Sequence, residues 1–112
     1  MPKVYVTQVP HLRDRATQAL VPVFNITPAQ EHGELVTMMP PGAAFFNTAE
    51  LVRQLAERLF PYDYEAGDSV LLLGDTTIVA ATVACVSKRN HKFAVLRWDR
   101  NLGRYTRVVI TV

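Results

Sequence analysis

Apolar and polar positions alternate along residues 3 to 9, with Val4 and Val6 on one side and Tyr5 and Thr7 on the other, which predicts a strand ended by Pro10. From His11 to Gly33 no period holds. Pro22 and Pro28 interrupt a short apolar stretch (Leu20, Val21, Val23, Phe24) that reads as an edge strand within a long, partly ordered connection. Glu34 to Met39 reads as a further strand, closed by Pro40, Pro41 and Gly42. The period then changes. Leu51, Val52, Leu55, Ala56 and Leu59 recur at helical spacing, with Glu50, Arg53, Gln54, Glu57 and Arg58 on the other side. Asn47 stands where a cap is needed, and Glu50 completes a capping-box-like pattern. The polar side pairs with itself at spacings of three and four, so it needs no partner to account for it.

Pro61 and the acidic stretch from Asp63 to Asp68 lead into a buried strand over Ser69 to Leu73, broken by Gly74 and Asp75. Residues 76 to 86 are apolar on nearly every side, and periodicity leaves both a buried helix and a Thr- and Val-rich strand open. Helix is favoured by Asp75 as a cap, by Ala80, Ala81 and Ala84, and by Lys88, Arg89 and Asn90 at the negative end of the dipole. Phe93 to Trp98 and Tyr105 to Val112 alternate around the turn residues Asn101 to Gly103, a hairpin. With Ala94, Leu96 and Trp98 turned to the core, and Val108, Ile110 and Val112 likewise, Arg97 and Arg107 lie outside. The expected fold is α/β: one domain over residues 1 to 112, a sheet of about five strands, two helices and a carboxyl-terminal β-hairpin.

Composition narrows the class. At 112 residues, with 49% hydrophobic and 20% charged, the chain is long enough for one core and too apolar for disorder. A single cysteine, Cys85, excludes an internal disulfide and a cysteine-built metal site, which fits a reducing compartment. No secretory leader and no membrane-length apolar run is legible, so the expectation is a cytoplasmic protein without a membrane partner.

Charge alters this picture. Residues 88 to 107 carry Lys88, Arg89, Lys92, Arg97, Arg100, Arg104 and Arg107 against Asp99, a formal +6, while the rest of the chain holds five basic and nine acidic residues, a formal −4. Guanidinium groups along a hairpin with Trp98 and Tyr105 among them suit phosphate contacts and base stacking. They equally suit protection of an exposed sheet edge, with Trp98 in the core. Lys92, Arg97, Arg100, Arg104 and Arg107, with Trp98 or Tyr105 for stacking, are the candidate contacts for nucleic acid or an acidic host protein.

Other candidates have plainer readings. The Gly74 and Asp75 turn offers backbone donors to an anion, but Asp75 would itself occupy that helix end. His11, His32 and His91 lack ligand spacing, and Cys85 reads as a small core residue. No catalytic constellation, cofactor motif or metal set emerges, so a non-enzymatic protein is expected. Met38, Met39, Phe45 and Phe46 flank the proline break as an apolar patch for a second subunit of a homo-oligomer, or as core.

The string LLLGDTTIVAATVACVSKRNHKFAVLRWDRNLGRYTRVVI, with MPKVYVTQVP, MMPPGAA and TAELVRQL before it, resembles short accessory proteins of tailed phages and environmental viruses. The resemblance spans most of the chain, implies a viral origin and an accessory role in the host cytoplasm, and transfers no catalytic residue. A second likeness is to small viral anti-CRISPR ring nucleases that cleave cyclic oligoadenylate: KVYV, the helix from Thr48 and EAGDSVLLL are similar in order. Their helix follows a catalytic histidine, whereas here Phe46, Asn47 and Thr48 stand at that place. That likeness therefore implies a fold without the chemistry, or a nucleotide sponge. Three expectations follow: a phage accessory protein binding through the basic hairpin, an anti-defence protein taking a cyclic oligonucleotide, or a virion component.

Overall fold

The computed structural model describes residues 1–41 and 47–112. An inner strand of its sheet is β1 (Lys3–Gln8), where the alternating sequence buries both sides. On one side β1 pairs in parallel with β4 (Glu34–Met39), and on the other with β5 (Ser69–Leu71). Then come β6 (Lys92–Asp99), parallel to β5, and β7 (Arg104–Thr111), antiparallel at the edge, giving the order β4-β1-β5-β6-β7. The expected α/β sheet of five strands, with two helices and a final hairpin, is the fold.

Both helices lie on one face. α1 (Thr48–Leu59) starts at Asn47, whose side chain accepts the Glu50 N–H, and buries Leu51, Leu55 and Leu59. At about 1.5–3 kcal/mol per fully buried leucine, this apolar stripe outweighs the helix's exposed side in holding it down. Glu50 and Glu57 pair with Arg53 along that exposed side, as their spacing requires. The ambiguous apolar stretch is helical: α2 (Thr76–Arg89) is capped by Asp75, which accepts from Thr77 and Ile78, and it buries Ile78, Thr82 and Val86. Tyr5, Val70 and Phe93 supply the sheet's share of this core.

Among the described residues no α-helix lies over the opposite face. Val4, Val6, Leu71, Leu96 and Tyr105 are covered by Ala29 and Ile26 from the connection between β1 and β4. That connection, irregular in its sequence pattern, holds two features: a small separate hairpin of β2 (His11–Arg13) with β3 (Leu20–Pro22), and a 3-10 helix over Thr27–His32. The edge strand expected at Leu20 thus pairs in the small hairpin and not with the main sheet. Three-residue strands and a proline-started 3-10 turn leave no period to read.

Two polar fastenings set the strand ends. Asp68 accepts from the N–H of Lys3 and of Asp63, while the Tyr62 hydroxyl donates to the Asp68 carbonyl and accepts from the Ala94 N–H, so the amino ends of β1, β5 and β6 are tied together. At the carboxyl ends, Thr7 Oγ1 accepts from the Leu73 N–H and donates to the Leu73 carbonyl, and Gln8 Oε1 accepts from the Asp75 N–H. Gly74 is required there. Its φ of 90° disfavours side chains, and a Cβ would overlap Gln8.

Met38 and Met39 are 2% and 1% exposed and belong to the helix-side core, where they offer no surface to another chain. Phe45 and Phe46 lie outside the described residues.

Candidate functional site

The register of the last hairpin decides where its charges go. It runs without a break from Lys92 opposite Thr111 to Asp99 opposite Arg104. Trp98 faces Tyr105 and Leu96 faces Arg107, while Arg97 faces Thr106 on the other side of the sheet. Arg97 and Arg107 therefore lie on opposite faces and do not form one outer row, because the sets taken for the core, Leu96 with Trp98 and Val108 with Ile110, belong to different sides.

Tertiary contacts divide the basic residues further. Arg104 holds Glu31 through two bonds, Nε to Oε1 at 3.1 Å and Nη2 to Oε2 at 2.8 Å. Arg107 folds back over the sheet, donating to Ser69 Oγ at 3.0 Å and the Asp68 carbonyl at 3.2 Å, with its guanidinium 5.3 Å from the centre of the Tyr64 ring. Arg89 lies 4.6 Å over Phe60. Lys92, Arg97 and Arg100 are exposed and make no ion pair among the described residues. Lys92 is at one end of β6 and the two arginines are at or beyond the other, so they do not form one patch.

The two aromatic residues also separate. Tyr105 is 7% exposed, and burial pushes its hydroxyl pKa up. Trp98, expected in the core, is 46% exposed and stands edge-on to Tyr105 at 5.1 Å. Its surface looks into a groove of about 510 Å³ lined by Phe24, Leu73, Leu96, Trp98, Arg100 and Tyr105. This groove opens at the carboxyl ends of β5 and β6, on the face without α-helices. Its location has a physical cause. In open α/β sheets the crevice where strand order reverses takes ligands, and here that crevice, between β1 and β5, is occupied by the Thr7 and Gln8 bonds. The hollow that remains lies one strand over.

A larger hollow of about 680 Å³ beside Val9, Ile26 and Thr37 has no Lys, Arg, Asp or Glu in its described lining, so it has little to hold a charged ligand. The Gly74 turn is no anion site, since Asp75 takes the Thr77 and Ile78 donors at 2.8 and 3.3 Å. Cys85 sits half-buried between the helices with its thiol pKa raised, burial outweighing the pull of Lys88, which disfavours the reactive thiolate. Among the described residues no group of three or more His, Cys, Asp or Glu could hold a metal, and no helix is long and apolar enough to cross a membrane.

Of the residues proposed from sequence, the structure brings Trp98, Tyr105 and Arg100 into one groove. It gives Arg104 and Arg107 intramolecular partners and sets Lys92 and Arg97 apart. Phe24, Leu73 and Leu96 complete the groove and carry no signal beyond being apolar; Glu31 and His32, which grip the start of β7, carry none.

The molecule is thus an open, mainly parallel α/β sheet with an aromatic, cationic groove at its carboxyl end. It belongs to the family described as phage Pam3 gp32-like protein, whose model matches residues 2–112, and is therefore a phage protein. Comparison with curated proteins and with solved structures gives no match.

Proposed function

We propose that this phage protein is a non-catalytic binding module that takes single-stranded nucleic acid in the Trp98 groove. The observation that carries the reading is the exposed Trp98 beside Arg100, which makes no ion pair among the described residues, in one apolar hollow. A base is flat, apolar on its faces and tethered to a phosphate. An indole wall with a guanidinium at the rim matches both parts, and stacking is worth about 1–3 kcal/mol per base.

Trp98 is the chain's only tryptophan, so its fluorescence reports the groove directly. Titration with short single-stranded oligonucleotides should quench it, with affinity falling as salt rises because phosphate neutralisation releases counterions. Followed by the anisotropy of a labelled oligonucleotide, Trp98→Ala should weaken binding about 5- to 150-fold, the equivalent of that stacking energy, and Arg100→Glu should flatten the salt dependence. No quenching, or binding indifferent to salt and to both substitutions, would sink the reading.

A second reading, an anti-defence protein that sequesters a cyclic oligonucleotide, is favoured by the groove's position at the carboxyl ends of parallel strands, where α/β sheets take nucleotides. A rise in melting temperature with a cyclic oligonucleotide and none with linear strands would select it.

A further inference from the structure

The outer edge of β7 is a long backbone edge of this sheet that lacks most of the usual protection. Natural edge strands are blunted by prolines, bulges, shortness or charged side chains. β7 runs eight residues as RYTRVVIT, with no proline, glycine, lysine or acid, and its register against β6 is continuous, so there is no bulge. Its two arginines are drawn away, Arg104 to Glu31 and Arg107 over the sheet to Ser69. Val108 and Val109 are 39% and 43% exposed on opposite faces of the strand.

The groups facing outward are identified by the ladder. The Val112 N–H donates to the His91 carbonyl, so Val112 points its backbone at β6, as do Ile110, Val108 and Thr106 by alternation. Tyr105, Arg107, Val109 and Thr111 then direct theirs away. The Tyr105 carbonyl is already bonded by the His32 ring at 2.8 Å. The outward N–H and C=O of Arg107, Val109 and Thr111 have no bond among the described residues.

We propose that this edge pairs with the same edge of a second copy, antiparallel about a two-fold axis at Val109. Val109 then faces its own mate, Arg107 faces Thr111, and Val108 faces Ile110. That register uses the three unbonded residues of each copy and no others, making about six backbone hydrogen bonds, two per bonded pair. It ends at Thr106, beside the carbonyl His32 has taken. A slip of four residues, which moves the axis to Arg107 and sets Arg107 against Arg107, would oppose like charges and is disfavoured. The self-complementarity of the free groups is what selects a second copy as the occupant. The five strands of each copy then form one continuous sheet, and the edge is gone.

The test uses the full chain. Sedimentation from low micromolar to near-millimolar concentration should show monomer passing to dimer, and Val109→Lys, which faces two ammonium groups across the axis, should raise the dissociation constant at least about tenfold. Val109→Thr, β-branched and uncharged, should leave the dimer in place. Amide exchange read by NMR supplies the register: Arg107, Val109 and Thr111 should gain protection as concentration rises, while Thr106, Val108 and Ile110 are protected throughout. A monomer at every concentration, a dimer indifferent to Val109→Lys, or exchange at those three amides independent of concentration would overturn the proposal.

Discussion

The two faces of the central sheet are built from similar strands and closed by different means. On one, α1 and α2 press Leu51, Leu55, Leu59, Ile78 and Val86 onto Tyr5 and Phe93, and these residues are nearly inaccessible. On the other, a 3-10 turn and an irregular connection cover Val4, Val6 and Leu71 but stop short of the carboxyl ends of β5 and β6, leaving Trp98 at 46% and Phe24 at 51% exposure. A regular helix is a broad cover and seals a sheet face. A short connection leaves a hollow, and the hollow contains the chemistry that a ligand could use. Stability therefore resides chiefly on the helical face, and the proposed recognition on the other.

The largest effect expected from this contrast is on Leu55. Leu55→Ala should cost about 2–5 kcal/mol of unfolding free energy, since it removes a fully buried side chain and leaves a cavity, whereas Trp98→Ala should cost less than half as much. Denaturant titration of both variants measures the contrast, and equal losses would break it. A smaller effect, opposite in sign, concerns Tyr5. Its hydroxyl is buried without a hydrogen-bond partner among the described residues. Tyr5→Phe should therefore hold or raise stability by about 1 kcal/mol, the order of the desolvation cost relieved, while Arg104→Ala on the other face should lose no more than about 1 kcal/mol, as exposed pairs do. A clear loss in Tyr5→Phe would show that the hydroxyl is satisfied. The smallest effect is electrostatic. Hydrogen bonds from Arg53, then Gln54, hold the Glu50 carboxyl at about 2 against its ordinary 4.5. A depressed folded value means that this contribution is complete above pH 4.5 and is lost as pH falls toward 2. Melting temperature across that interval should decline slightly less in Glu50→Gln than in the parent.

Much of the helical face is legible in the chain. The period of Leu51, Leu55 and Leu59, the cap at Asn47, the cap at Asp75 and the alanines of α2 each act through neighbours within a turn, so local sequence specifies them. The strands of the final hairpin are legible for the same reason. Their sidedness is not, because Ala94, Leu96 and Trp98 alternate as cleanly as Phe93 and Val95, and a sheet covered on both faces gives each set a core to join. Alternation alone therefore places Trp98 in the core, and only the short cover over its face leaves it open.

What the sequence determined by itself is the strands of the main sheet and the two α-helices, their order, and the concentration of positive charge near the carboxyl end, since periodicity, caps, turns and charge counts depend on near neighbours. The tertiary structure decided which charges stay available. Glu31 meets Arg104 and Ser69 meets Arg107 across separations of 73 and 38 residues, and no local pattern encodes such a meeting. It decided the groove as well, because Phe24, Leu73 and Trp98 come together only when a connection without an α-helix lies across one face of a twisted sheet.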